Sequence, residues 1–397
     1  MLASRKCESR QFRTFDFENN GNPICKLCQF ILACWKSWKR PQTGKLFLKI
    51  SHLDNVFGPT TSGRKFLFSL SDASYQFRET HRGWIFPTLL AGPTPDGISR
   101  WGSPGRDVNF GMILSWLEFC NGHHEEFCAI PTDYNIPFFY LIECSTRRII
   151  ESTHKSKYAA LSYCWGPKPH PLPHESNDLP SNTGLVIEDA IKVAIRLKIP
   201  FLWVDRYYIA QGDDTRKPQQ LQNMDKVYDS AYVTIIAGYG DRPECGLPGV
   251  STQSRKPPLS MDSHGHRLTC IPDIVQEIQD CPWSKRGWTF QENVLCRRKL
   301  VFTETQVYFQ CKSMHCCEAT PINVEETHTA GWKGRKYTHR AFPERGIGKT
   351  GSEIVDRVQE YIKRTLTNES DALVAFLGVF QAFQELKYPV YHFWGLP

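Results

Sequence analysis

Apolar residues in the middle of the chain recur with two different periods, which predict alternating strands and helices. Residues 158–165 form a mostly apolar run that stops at Gly166, as expected for a buried strand that ends in a turn. Residues 187–197 place apolar side chains at helical spacing, with acidic residues near the start. Residues 201–205 then form a second short apolar run, whose last residue is an acid.

The same alternation continues along the chain. Residues 221–228 have the spacing of a helix and 232–237 that of a strand, whereas 138–143 and 147–151 have the pattern of a hairpin. Strands that alternate with helices in this order predict parallel βαβ units. The fold class is therefore predicted to be α/β with a parallel sheet.

Three zones are predicted from these patterns. Residues 1–135 form an N-terminal region of uncertain fold that contains Cys and His residues, with a strand-like run at 65–70. Residues 136–312 form the regular α/β domain. Residues 313–397 form a mainly helical C-terminal extension, because apolar residues there recur at helical spacing.

Composition excludes several classes of protein. The 397 residues include 48 Lys and Arg against 41 Asp and Glu, and no basic run is present, so we expect no nucleic-acid partner. The longest apolar stretch, 24–35, is too short to cross a bilayer and is interrupted by Lys26. The 15 cysteines are irregularly spaced and follow no secretory signal, which indicates reduced thiols in the cytoplasm.

Candidate chemistry is predicted where two strands end. Ligands of open parallel sheets bind beyond the carboxyl ends of the strands, and both 162–166 and Asp205 lie at such ends. Asp205 has two interpretations, which stay open here. It holds a ribose hydroxyl or orients a partner, or it brackets a turn beside Arg206.

A second candidate is the segment 286–292. If it is helical, Trp288 and Glu292 are four residues apart and share a face. An aromatic plane beside a carboxylate suits a ligand made of a sugar and a base. The alternative is that Trp288 packs in the core and Glu292 pairs with Arg286 or Arg297.

Taken together, three segments resemble the heterokaryon incompatibility (HET) domain of filamentous fungi. They are Tyr-Ala-Ala-Leu-Ser-Tyr-Cys-Trp-Gly at 158–166, Leu-Trp-Val-Asp at 202–205 with Gln211, and Arg-Gly-Trp-Thr-Phe-Gln-Glu at 286–292. The helix predicted at 187–191 also resembles the family. Two positions depart from the family pattern, since Tyr208 stands where a Cys is usual and Ala210 where an Asn is usual.

The resemblance implies a role in fungal allorecognition and programmed cell death, with self-association and other incompatibility proteins as partners. The HET domain also distantly resembles TIR domains, some of which cleave NAD with a glutamate that follows a tryptophan on a helix. By this analogy NAD is a possible substrate, and Glu292 and Asp205 are the catalytic candidates. The other candidate ligand-binding residues are Ser162, Tyr163, Trp165, Gly166, Gln211, Arg286 and Trp288.

Two alternatives to an enzyme stay open. The domain could be a signalling module that oligomerises without catalysis. The chain could also be an inactive member of the family, because its relatives usually continue beyond a Gly-Leu-Pro like that at 395–397.

Several Cys and His residues have spacings that resemble those of zinc ligands. The candidates are Cys25, Cys28, Cys120, His123, His124 and Cys128, and a further group is 315–317 near Cys311. Free cysteines are more often simply buried small side chains, so no zinc site is expected.

Overall fold

The computed structural model describes part of the chain and divides it into two compact units. The described residues are 10–16, 25–37, 45–52, 66–72, 81–89, 104–131, 133–153, 155–166, 178–209, 215–320, 340–344, 346–348, 350–392 and 395. The first unit comprises 1–105, 256–277 and 319–339, and the second comprises 106–255, 278–318 and 340–397. The zone boundaries predicted at 135 and 312 stay a prediction.

The strands and helices alternate over most of the described chain. The strands are β1 Arg10–Asp16, β2 Lys45–His52, β3 Phe66–Asp72, β4 His81–Leu89, β5 Tyr140–Glu143, β6 Arg148–Glu151, β7 Tyr158–Ser162, β8 Phe201–Val204, β9 Val233–Ala237, β10 Leu259–Ser263, β11 His266–Pro272, β12 Arg298–Phe302, β13 Val307–Cys311 and β14 His315–Cys317. The α-helices are α1 Lys26–Ser37, α2 Phe110–His123, α3 Glu125–Cys128, α4 Leu185–Arg196, α5 Asp205–Tyr208, α6 Arg216–Gln222, α7 Met224–Ser230, α8 Ile274–Asp280, α9 Pro282–Lys285, α10 Thr289–Leu295, α11 Glu353–Tyr361 and α12 Val374–Gln384.

The first unit is built on an antiparallel sheet with the strand order β1-β2-β3-β4-β11-β10. The hairpin β10–β11 comes from the segment 256–277, and Cys270 in β11 is the partner of Ile85 in β4. Helix α1 contributes Phe30, Ile31 and Trp35 to the apolar cluster around these two residues. The unit therefore has its own small core.

The second unit contains a sheet with the order β14-β13-β12-β9-β7-β8-β5-β6. Neighbouring strands among β12, β9, β7 and β8 are parallel, whereas the hairpins β5–β6 and β12–β13 are antiparallel. All five residues of β7 and of β9 are buried, as expected for parallel strands covered on both faces. The predicted α/β fold is thus confirmed, and so is the hairpin at its edge.

Several elements differ from their predicted extents, among them the helix predicted at 286–292, which begins at Thr289. The apolar run from 158 leaves the sheet after Ser162, although Tyr163 and Cys164 are still buried. The helix predicted at 221–228 is two helices, α6 and α7, which meet at Asn223.

The C-terminal helices of the second unit complete its core. Phe290 of α10 stacks on Phe376 of α12, with ring centroids 5.7 Å apart, and Ile354 of α11 joins the same apolar cluster. This packing fixes the position of α10, which carries Glu292. Within the described stretches, no helix has the length and apolar character needed to cross a membrane.

Candidate functional site

The ends of two adjacent parallel strands bring Ser162 and Asp205 to the same edge of the sheet. Leu161 of β7 is the register partner of Val204 of β8. The residues that follow them, Ser162 and Asp205, therefore lie side by side. Both side chains are buried. The sheet therefore places a hydroxyl and a carboxyl where α/β proteins bind ligands.

Ser162 connects the strand edge to Glu292. Its hydroxyl donates a hydrogen bond to Oε2 of Glu292, and it accepts a hydrogen bond of 2.6 Å from Nε1 of Trp283. Trp283 is fully buried, and its carbonyl accepts a hydrogen bond of 2.6 Å from the Thr289 hydroxyl at the start of α10. This series of bonds holds the Glu292 carboxyl, which is only 4% exposed, in one orientation.

Both carboxylate oxygens of Asp205 accept hydrogen bonds. The indole N–H of Trp165 donates to Oδ2 at 2.8 Å, and the backbone N–H of Arg206 donates to Oδ1 at 2.7 Å. The Arg206 guanidinium lies over the Trp165 ring, 5.1 Å from its centroid. Trp165 is half-buried, so part of its ring is open to solvent.

The two buried acids influence each other's ionisation. Burial, followed by the negative charge of Glu292, raises the pKa of Asp205 from 3.8 to about 7. Burial also raises the pKa of Glu292, and the hydrogen bond from Ser162 partly opposes this rise. Asp205 therefore keeps its proton up to about pH 7.

Buried polar atoms without a hydrogen-bond partner among the described residues lie beside the acid pair. Oη of Tyr163 and Nη1 of Arg206 are among them. Tyr163 is an electrostatic neighbour of both Asp205 and Glu292. A buried donor without a partner costs about 1–3 kcal/mol, so a polar ligand or water that accepts these bonds would be stabilised here.

Trp288 packs against the apolar core cluster that contains Trp203, as the alternative sequence interpretation predicted, whereas Glu292 forms no ion pair with Arg286 or Arg297 among the described residues. Trp288 is half-buried and donates through Nε1 to Asp371 at 3.2 Å, so its indole N–H is directed to that carboxylate. Arg286 is half-buried, and its charge lowers the pKa of Glu292. Arg297 pairs with Asp229 at 2.6 Å.

The remaining predicted positions at this edge of the sheet differ in where the structure places them. Gly166 is half-buried and has a positive φ of 72°. Gln211 and Ala210 lie outside the described residues. Tyr208, the other departure from the family pattern, packs its ring against Trp203 and is 3% exposed, so this substitution fills the core.

Trp283 and Arg364 are among the contributors to the site that were missed from sequence. Trp283 donates to Ser162, and Arg364 donates to the carbonyl of Arg286 at 3.2 Å and lowers the pKa of Glu292. Trp283 lies just before the segment 286–292, and this closeness in sequence is the only feature that points to it. Arg364 lies in a distant segment of polar residues, and nothing in that segment marks it.

The candidate zinc ligands lie in both units. Cys25 and Cys28 belong to the first unit, where the thiol of Cys25 donates to Sγ of Cys28 at 2.8 Å. In the second unit, Cys120, His124 and Cys128 are buried. His123, the last residue of α2, is exposed.

Comparison with known proteins adds one family. Residues 158–292 match the family model described as heterokaryon incompatibility protein (HET). No curated protein matches the chain, and no solved structure matches it. The matched residues contain Ser162, Asp205 and Glu292, so the acid pair lies within the matched domain.

Proposed function

Because the chain carries a heterokaryon incompatibility domain, we propose that it acts in fungal non-self recognition and programmed cell death by cleaving NAD. The observation that carries this proposal is the buried pair Asp205 and Glu292, which lies with Ser162 at the carboxyl ends of adjacent parallel strands. The distant resemblance to TIR domains supplies the choice of substrate.

One carboxylate suffices for the proposed reaction. The bond between ribose C1′ and the nicotinamide nitrogen breaks, and nicotinamide leaves as a neutral molecule without a proton from a general acid. The ribose becomes an oxocarbenium-like cation, which the Glu292 carboxylate stabilises electrostatically. Water then adds at C1′ and releases a proton, which gives ADP-ribose.

The neighbours of Glu292 have supporting roles in this reaction. Ser162 and Trp283 keep the carboxylate oriented, so that no reorganisation is needed when positive charge develops. Tyr163 and Arg206 supply buried polar atoms for hydroxyl or phosphate oxygens of the substrate. Trp165 offers a half-buried ring, against which a base can stack.

The test is NAD consumption by purified protein at high concentration, so that any required assembly forms. Glu292→Gln keeps an oxygen that accepts the Ser162 hydrogen bond but removes the charge. We expect the wild type to release as much nicotinamide as it consumes NAD. The rate of Glu292→Gln should be lower than that of the wild type by a factor of about 10² or more. Glu369→Gln, at an exposed glutamate, is the matched control and should keep the wild-type rate.

A folded Glu292→Gln protein that consumes NAD at the wild-type rate would refute the proposal. Absence of consumption by folded, assembled wild type would favour the second candidate, a module that signals by self-association. Val355 in α11 and Ile362 directly after it favour that candidate, since they are seven residues apart and 51% and 69% exposed. Under that alternative, Val355→Glu with Ile362→Glu prevents assembly and cell killing, whereas Glu292→Gln does not.

A further inference from the structure

Three cysteines and a histidine from separate elements meet inside the second unit. Cys120 lies in α2, His124 follows that helix, Cys128 ends α3 and Cys311 ends β13. Each is at most 5% exposed. The thiols are free of disulfides. They lie outside the Asp205–Glu292 site and have no part in the proposed NAD chemistry.

The distances among Cys120, His124 and Cys311 fit a single tetrahedral metal ion. The ligand atoms of Cys120, His124 and Cys311 all lie within 4.8 Å of one another, and Nδ1 of His124 is 3.5 Å from Sγ of Cys311. Zinc bonds of about 2.3 Å to sulfur and about 2.0 Å to nitrogen give tetrahedral edges of about 3.8 Å between sulfurs and about 3.5 Å between sulfur and nitrogen. The Cys128 thiol interacts with the thiols of both Cys120 and Cys311. Its interactions with two of the three other ligands make Cys128 the candidate for the fourth.

The local backbone explains why these residues converge. Cys120, His124 and Cys128 are four residues apart, which is close to one helical turn each. The backbone N–H of His124 bonds to the Cys120 carbonyl, and that of Cys128 bonds to the His124 carbonyl. These bonds bring the three residues together where α2 ends and α3 begins. Cys311 then reaches them from the sheet.

N–H donors surround the sulfurs, as they do in metal–thiolate sites. The backbone N–H groups of Ser313 and Met314 point at Sγ of Cys311, at 3.4 and 3.3 Å. Nε of Arg298 donates to Sγ of Cys120 at 3.3 Å. Such donors stabilise thiolates more than they stabilise neutral thiols.

Charge balance points the same way. Arg298 is buried, and its other N–H groups bond to the carbonyl of Tyr232 and the amide oxygen of Asn121. None of the residues that the structure describes gives Arg298 an ion pair with a carboxylate. Three thiolates and one neutral imidazole on a divalent ion carry a net charge of −1, which would neutralise the guanidinium.

We propose that Cys120, His124, Cys128 and Cys311 bind one zinc ion in a closed, structural site. With four protein ligands no position remains for water or substrate, which is typical of structural rather than catalytic zinc. The ion ties α2 and α3 to the end of β13. His124 and Cys311 are 187 residues apart, so the ion also restricts a long loop of the unfolded chain.

The test is the metal content of protein that carries no histidine tag and has been made in zinc-containing medium. Elemental mass spectrometry should find one zinc per wild-type chain, and none after His124→Ala or Cys311→Ser. Two matched controls should keep the metal. They are His123→Ala, at the exposed neighbouring histidine, and Cys144→Ser, at a buried cysteine outside the cluster.

Cobalt substitution of the wild type gives a readout that needs no variant to fold. We expect the intense ligand-field bands of tetrahedral cobalt together with sulfur-to-cobalt charge transfer. Folded wild type that holds no zinc and shows no such charge transfer would overturn the proposal. So would equal metal content in His124→Ala and His123→Ala, because the ion would then be bound elsewhere. Neither readout depends on NAD cleavage.

Discussion

Replacing Asp205 with asparagine should change how the stability of the protein depends on pH. The folded state keeps the Asp205 proton up to about pH 7, whereas the unfolded chain releases it near 3.8. Between these pH values the folded state binds more protons than the unfolded state, so the free energy of unfolding falls as the pH rises. The contribution is full below the unfolded pKa and is lost once the pH passes the folded pKa.

The magnitude follows from the two pKa values. Each pH unit between them is worth 1.36 kcal/mol, so the wild type loses about 4 kcal/mol of stability from this group as the pH rises through the interval. Asparagine cannot ionise, and Asp205→Asn lacks this loss. Its amide also faces the backbone N–H of Arg206, where the carboxylate accepted a bond. That contact adds a cost that does not vary with pH.

The assay is denaturant unfolding of both proteins at intervals from about pH 4 to about pH 8. Groups that do not interact with Asp205 titrate alike in the two proteins, so the difference between their free energies reports Asp205 together with its coupling to Glu292. We expect the wild type minus Asp205→Asn difference to fall by about 4 kcal/mol over this range. In a Glu292→Gln background the fall should be smaller, because the neighbouring charge that helps to raise the Asp205 pKa is absent.

Parallel pH profiles for the two proteins would refute this reasoning, since they would mean that Asp205 titrates alike in the folded and unfolded states. An unchanged fall in the Glu292→Gln background would refute the coupling of the two acids while leaving the effect of burial intact.

Three further predictions concern buried polar bonds and are measured by denaturant unfolding at neutral pH. Ser162→Ala should destabilise the protein by about 1–3 kcal/mol, because the indole N–H of buried Trp283 then lacks its acceptor; an unchanged midpoint would contradict this. Tyr158→Phe should cost about 1 kcal/mol, since its hydroxyl donates to a buried carbonyl, and stabilisation would be the opposing result. Glu318→Gln should cost about 3–5 kcal/mol, because it breaks the buried ion pair that Glu318 makes with Arg255 at 2.6 Å; a loss typical of surface pairs would show that water screens the pair.

The α/β core could be predicted because its strands are recognisable from the local sequence. Parallel strands covered on both faces are nearly continuously apolar, and β7, β8 and β9 all were. The first unit could not be predicted in this way. Its sheet takes strands from two distant stretches, and pairing between β4 and β11 leaves no local periodic signal.

For the candidate site too, features set by local sequence could be predicted, whereas contacts between residues distant in sequence could not. Ser162 and Asp205 could be placed at one edge, because the ends of adjacent parallel strands meet there. The partner of Ser162 could not be identified, since its bonds to Glu292 and Trp283 cross more than a hundred residues of chain. Among the candidate zinc ligands, spacing alone could not distinguish His123 from His124. The end of α2 decides between them, because it buries one and exposes the other.

The interleaving of the two units has a consequence for how the chain is made. Residues 1–105 leave the ribosome long before 256–277, yet β4 needs β11 from that later segment to cover its edge. Until then, an unpaired strand edge is open to other chains. A gene fragment trimmed to 158–292 would have the opposite defect, since it would encode β10 and β11 without β4. Recombinant work on the matched domain should therefore start from the whole chain.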